Sequence, residues 1–206
     1  MKNTFIFILI LSGLIFAQEE FNIKSLRIYQ KGNEISFPVS IYESQLTIEF
    51  DIQAERTPNW IIFFKFCDKN WQPYENIFLA NEMYNTEYNL WFDVLSVTND
   101  RARYHYKDSF PSEDVTFPFS GKWKYFITDS QDSSIVYGSG KFYVINNPEV
   151  DLAIDLEAER LEGKTVDPAT FGEVYYMGVS FKLPDTLFDQ RVIDVEIIEN
   201  RKLDYP

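Results

Sequence analysis

The chain has 206 residues, of which 45% are hydrophobic, 17% aromatic and 25% charged. That apolar share supports a packed core and excludes wholesale disorder. Its 32 acidic and 19 basic residues leave a formal net charge of −13, which disfavours nucleic acid and anionic lipid as partners. A single cysteine and a single histidine exclude an internal disulfide framework and any Cys-rich or His-rich metal site.

Residues 1–17 read as an address. Lys2 supplies a positive start, an apolar run extends from Phe5 to Phe16, and Ala17 is a small residue suited to cleavage. This is the pattern of a secretory signal peptide. The run is shorter than the roughly 20 residues that span a bilayer. The mature chain is therefore expected to begin near Gln18, outside the cytoplasm and not embedded in the membrane. Cys67 is expected to be buried, as an isolated thiol in an oxidising compartment would be.

Beyond residue 20 the apolar positions alternate. Leu46, Ile48, Phe50 and Ile52 face Thr47, Glu49 and Asp51, the pattern of a half-buried strand. Asn59 to Cys67 is apolar on both sides, as expected of a strand in mid-sheet covered on both faces. The best helical candidate, Tyr74 to Tyr84, falls in a connection. Trp123, Tyr125 and Ile127, then Phe142 and Val144, alternate with polar residues around the turn Asp129–Ser134, predicting a hairpin over 121–145. Shorter strands are expected at 23–29, 34–36, 89–93 and 101–106. Together these give an all-β fold: an Ig-like antiparallel β-sandwich over 18–147.

Asn146-Asn147-Pro148 breaks the last strand, and a boundary is expected there. Val150, Leu152, Ile154 and Leu156 alternate with acidic residues. Ala158–Gly163 has the composition of a helical turn too short to stand alone. Phe171–Leu183 and Val192–Ile198 read as two more strands. Residues 148–206 are thus expected to form a partial second β-domain. So small a sheet is marginal alone, which favours reading the sequence as the front part of a longer protein over docking on the first domain.

Two blocks carry a family likeness. One is Phe66-Cys67-Asp68-Lys69-Asn70-Trp71-Gln72-Pro73. The other runs from Tyr104-His105-Tyr106 through Phe110-Pro111-Ser112-Glu113-Asp114 and Ser120-Gly121-Lys122-Trp123 to Gly140-Lys141-Phe142-Tyr143-Val144. Together they resemble the first domain of the plug proteins of the bacterial type IX secretion system. Residues 192–203, ending Glu199-Asn200-Arg201-Lys202, resemble the family's next segment. Phe66 stands where the family commonly has His, and Lys122-Trp123 stands for its Asn-Tyr. The resemblance implies a non-catalytic periplasmic protein of Bacteroidetes-type bacteria. It would sit at the outer membrane through a protein partner, the translocon barrel, and close its pore.

The remaining constellations have ordinary readings beside functional ones. Asp68-Lys69-Asn70 places oxygens as a calcium loop does but lacks the Gly and Glu of an EF-hand, so a capped turn plugged by Trp71 is the simpler account. His105 lies within a strand, and the sequence holds no Gly-x-Ser-x-Gly elbow; a hydrolase is the least favoured class. No cofactor or metal is expected. The rings of the long 68–100 connection are harder to bury completely than those of the strands. Trp71, Tyr74, Tyr84, Tyr88 and Trp91, with Phe110 and the acidic-rim residue Asp114, are the candidate partner-binding residues. An alternative use for such rings is a carbohydrate-binding Ig-like module.

Overall fold

The computed structural model describes residues 21–96, 101–146, 151–159 and 174–182. The segment 1–17 expected to be a signal peptide, the residues around Pro148 and the strand expected at 192–198 lie outside them.

The strands are β1 (Asn22–Gln30), β2 (Val39–Ile41), β3 (Leu46–Gln53), β4 (Trp60–Cys67), β5 (Thr86–Glu87), β6 (Phe92–Val94), β7 (Tyr104–Phe110), β8 (Gly121–Asp129), β9 (Val136–Ile145), β10 (Asp151–Glu159) and β11 (Val174–Lys182). One helical turn, α1 (Ile77–Ala80), lies between β4 and β5. One sheet has the order β1-β3-β7-β6 and a second has the order β2-β9-β8-β4-β5. The strands pair antiparallel except β2, which runs parallel to β9. β10 and β11 form a two-stranded antiparallel ladder of their own.

The period-two pattern explains the layering. Successive Cβ atoms point to opposite faces, so each sheet delivers one apolar row. Leu46, Ile48, Phe50, Ile52, Tyr104, Tyr106 and Phe110 come from the first sheet. Trp60, Ile62, Phe64, Trp123, Tyr125, Ile127, Phe142 and Val144 come from the second, and all are buried in one cluster. Rings cross the interface: Phe64 meets Phe110 at 4.9 Å and Phe50 meets Trp60 at 6.3 Å between centroids. Inter-ring contacts of this kind add to simple burial. The buried Trp123 indole donates to the Phe119 carbonyl at 2.9 Å. The architecture is the expected all-β sandwich.

Several local expectations are corrected. The strand expected at 34–36 is a turn: the Ser36 hydroxyl accepts from the Gln30 amide and donates to the Asn33 carbonyl, so these groups have local partners and need no ladder. The short parallel strand β2 follows it instead. The helix expected over 74–84 is only α1. Asn76 Oδ1 accepts from the Phe78 amide at one end, and Asn81 adopts the left-handed conformation (φ 49°) at the other. Such residues cap both ends and leave a single turn. β4 sits inside its sheet, but its outer face is not fully covered: Ile61 and Phe63 remain partly exposed, and Phe63 stacks on Phe126 at 5.0 Å. Ala158 and Glu159 extend strand β10 where a helical turn was expected to begin.

Gly140 pairs with Tyr125 across β8 and β9. A Cβ at this position would lie 2.5 Å from the Tyr125 ring, and that ring is buried in the core. Gly140→Val is expected to lower stability by about 1–3 kcal/mol through overpacking. The reading is a lower urea midpoint at unchanged slope; an unchanged midpoint would contradict this packing.

Candidate interaction surface

The turn after β4 is built by Asp68. Its Oδ1 accepts from the Asn70 and Gln72 amides, each at 2.8 Å, so the carboxylate is occupied by backbone. Trp71 adopts φ 63° and folds back over the outer face of β8 and β9. Its ring meets Tyr143 edge-on at 5.2 Å, with the Lys122 and Lys141 ammonium groups 5.0 and 5.2 Å from its centroid. Only 8% of Trp71 is exposed. Phe110, the last residue of β7, is 1% exposed and packs on Phe64. These two candidate partner residues are therefore covered. For Phe110 the reason is that the inward row of β7 resumes at its end; for Trp71 it is the fold-back of the turn.

The other candidates are exposed. From Tyr74 to Val94 the chain leaves β4, forms α1, adds β5 to the edge of the second sheet and crosses to β6 on the edge of the first. Tyr74, Tyr84, Tyr88 and Trp91 are exposed along this path, Trp91 at 85%. Sequence reasoning passed over Ile77, Phe78, Met83 and Val94, which are exposed there too, Phe78 at 85% and Met83 at 86%. The available signal was the pair of asparagines bounding Ile77–Ala80: a single turn has too little length to bury an apolar face.

The loop after β7 is tied to this connection. The Thr116 amide donates to the Tyr84 carbonyl at 2.8 Å, Asn81 Nδ2 donates to the Thr116 carbonyl at 3.0 Å, and Asn85 bridges Val115. Asp114 is exposed in that loop. Nearby, burial pushes the Glu87 carboxyl upward and the charges of Asp114 and Asp108 add to the effect, while the Asn89 amide, donating to Oε1 at 3.1 Å, opposes it. An acidic margin thus lies beside the apolar connection.

Among the described residues the most exposed rings are on connections and strand edges, and on the outer face of the second sheet Phe63 and Phe126 are only partly exposed. Among the described residues, no ring contact joins Tyr84, Tyr88 and Trp91 to one another. Tyr74 stacks instead on Phe66 at 5.4 Å.

The ionisable cluster of the fold lies on the outer face of the first sheet. Glu49 accepts from Tyr29 Oη, from Arg27 Nη2 at 2.7 Å and pairs with Lys107 Nζ at 3.2 Å. His105 Nδ1 is 2.8 Å from Asp51, and its Nε2 is 3.9 Å from Glu49. Burial alone would raise the Glu49 carboxyl, but the Tyr29, Lys107 and Arg27 bonds outweigh it and hold it at about 2. A cleft of about 830 Å³ opens elsewhere, beside Tyr42, Glu43, Gln45, Pro111 and Asn146. His105 is not among its lining residues; among the described residues Glu43 is the one carboxylate that lines it.

A sandwich carrying an exposed apolar connection fits the class of contact proteins, whose loops recognise partners from a rigid scaffold. The comparisons narrow this class. Residues 23–146 match the family described as type 9 secretion system plug protein 1st domain, and the chain belongs to that family. No curated protein matches it. Among solved structures, a hypothetical protein from Parabacteroides merdae is similar in fold, with a TM-score of 0.54 and 21% identity. The match covers 67% of this chain and 36% of that one. Among the described residues no helix is long and apolar enough to cross a membrane.

Two outcomes follow. Phe110→Ala is expected to cost about 3–5 kcal/mol, whereas Trp91→Ser is expected to stay within about 0.5 kcal/mol, both read by urea unfolding; equal costs would contradict the assignment of buried and exposed rings. The folded Glu49 carboxyl is depressed below its ordinary 4.5. Its stabilisation is therefore complete above about pH 4.5 and is lost as pH falls toward 2, on the order of 2 kcal/mol. Glu49→Gln should flatten the stability profile across that window; an unchanged acid limb would contradict the role given to Glu49.

Proposed function

We propose that this protein acts by shape and contact, without catalysis, as a periplasmic component that closes the pore of the type IX secretion translocon. Family membership of residues 23–146 is the observation that carries this reading. The physical requirement is a body that resists deformation and presents a broad surface complementary to the barrel rim. A two-sheet core interlocked by rings supplies the stiffness. The connection from Tyr74 to Val94, with Phe78, Tyr88 and Trp91 exposed, is the proposed contact with the barrel, and Asp114 lies in the loop tied to it. On this reading residues 1–17 direct export and residues 148–206 form a partial second β-domain.

The test is photo-cross-linking in cells that carry the secretion system. A benzophenone side chain at position 88 or 91 is expected to give an adduct with the outer-membrane translocon barrel. The same group at Lys24, on the edge strand β1, is expected to give none. Absence of a barrel adduct from positions 88 and 91, together with failure of the full chain to co-purify with the barrel in mild detergent, would contradict the proposal.

A further inference from the structure

The turn that joins β2 to β3 has unusual occupants. The Ser44 amide donates to the Ile41 carbonyl at 2.9 Å, which makes Tyr42 and Glu43 its two central residues. Both are left-handed, at φ 49° and φ 61°. A turn with this backbone favours Asn or Gly at its centre, because larger side chains crowd the neighbouring carbonyl there. The chain nevertheless places a tyrosine and a glutamate, and fixes the turn with further hydrogen bonds. Ser40 Oγ donates to the Ser44 carbonyl at 2.7 Å, Ser44 Oγ accepts from the Ile41 amide at 2.7 Å, and the Tyr42 amide donates to the Ile145 carbonyl at 3.0 Å. Backbone strain held in place by its surroundings clusters at ligand sites.

Tyr42 and Glu43 form one wall of the cleft of about 830 Å³, a volume within the roughly 300–1,000 Å³ range of small-molecule sites. The loop after β7 and the end of β9 supply the rest, through Ser112, Thr116 and Asn146. Four polar side chains here are each held by the fold and still have a group to offer. Gln45 Nε2 donates to the Pro111 carbonyl at 3.0 Å, and Asn146 Nδ2 donates to the Phe117 carbonyl at 2.8 Å. Each amide nitrogen has a second hydrogen. Ser112 Oγ accepts from the Val115 amide at 3.2 Å, and Thr116 Oγ1 accepts from Asn81 Nδ2 at 3.2 Å. Both hydroxyls can still donate. Among the described residues the Glu43 carboxylate makes no hydrogen bond or ion pair, and Tyr42 is 62% exposed.

This lining selects a class of ligand. Among the described residues no Lys, Arg or His lines the cleft. Glu43 and the net charge of −13 work against phosphates, sulfates and acidic sugars. One carboxylate is too few to hold a divalent cation. The groups on offer belong to side chains and not to a main-chain ladder, so they do not match an added peptide strand. Fixed hydroxyls and amides beside a flat ring match a neutral polyol. We infer that the cleft between the β2–β3 turn, the loop 111–118 and Asn146 binds a short neutral saccharide. Sugar hydroxyls donate to Glu43 and accept from Gln45 and Asn146, and an apolar sugar face packs on the Tyr42 ring. Side chains already held in place lose little freedom on binding. The inference uses side chains other than Phe78, Tyr88 and Trp91 and does not depend on the proposed barrel contact.

The test is an NMR titration of the full mature chain, labelled with nitrogen-15, using maltose, cellobiose and N,N′-diacetylchitobiose as probes. Each is taken to about 20 mM, well above a Kd of about 1 mM. At least one is expected to shift the Gln45 and Asn146 side-chain amides and the Thr116 backbone amide saturably, with the Trp91 indole signal unmoved. Glucose 6-phosphate is expected to bind at least about tenfold more weakly than that probe. Glu43→Gln keeps the shape of the side chain and is expected to reduce affinity on the order of tenfold. Tyr42→Asn removes the ring and is expected to reduce affinity at least about fivefold. Its Tm should be unchanged or higher, because Asn tolerates the left-handed backbone, so lost binding is separated from lost folding. Several results would overturn the inference. They are no saturable shift of the cleft signals with any of the three disaccharides, shifts centred on Trp91 in their place, affinity unchanged in both variants, glucose 6-phosphate bound as tightly, or a tetra-alanine peptide bound more tightly than any of the sugars.

Discussion

The structure depends on one constraint: large rings from two sheets must fill a single layer between them. Trp60, Phe64, Trp123, Tyr125 and Phe142 enter from one side, and Phe50, Tyr106 and Phe110 enter from the other. A side chain of this size has few positions that avoid both void and overlap. Registers such as Phe64↔Tyr125 and Phe50↔Tyr106 are thereby specified strongly, since a one-residue slip would turn every ring outward. Gly140 is part of the same solution, because the Tyr125 ring occupies the space that any larger residue would need.

Stiffness at the centre shifts variability to the margins. The connection from Tyr74 to Val94 contributes only the two-residue strand β5 and the three-residue strand β6 to the sheets. Leu90 and Phe92 pack against the core, Phe78, Met83, Tyr88 and Trp91 are left outside, and the backbone is held by Asn81, Asn85 and Thr116. A segment with a fixed backbone and exposed rings loses little freedom on meeting a partner. That combination suits a contact protein, and it agrees with membership in the type 9 secretion system plug family. The two outer faces differ in the same spirit. One gathers its charged groups around Glu49, and the other places Lys65, Lys124 and Lys141 in register across three strands.

Much of the sandwich was legible because alternation in sequence maps directly onto faces. β3, β8 and β9 declared themselves by an apolar row of period two, and β4 by a run apolar on both sides. β2 and β5 were not legible: three residues and two residues are too few for a period, and both are defined by partners distant in sequence. The turn after β4 was legible because Asp68 has the chemistry to cap it. The fate of individual rings was only partly legible. Trp71 and Trp91 lie in the same connection, yet one is covered by Tyr143 and flanked by lysines while the other faces outward. Phe110 looked like a loop residue because Pro111-Ser112-Glu113-Asp114 follows it, but it closes the inward row of β7. The juxtaposition of Lys65, Lys124 and Lys141 could not be seen from spacing alone, since it exists only once β4, β8 and β9 are placed in register.

The central claim is that a rigid body meets its partner through a marginal connection and does not refold to do so. Amide hydrogen exchange of the full chain, measured alone and with detergent-solubilised translocon, tests it most directly. The account predicts new protection confined to residues 74–94 and the tied loop at 112–116, with exchange in β3, β4, β7 and β8 unchanged. Loss of protection in those core strands on binding, or no protection of the connection at all, would contradict it.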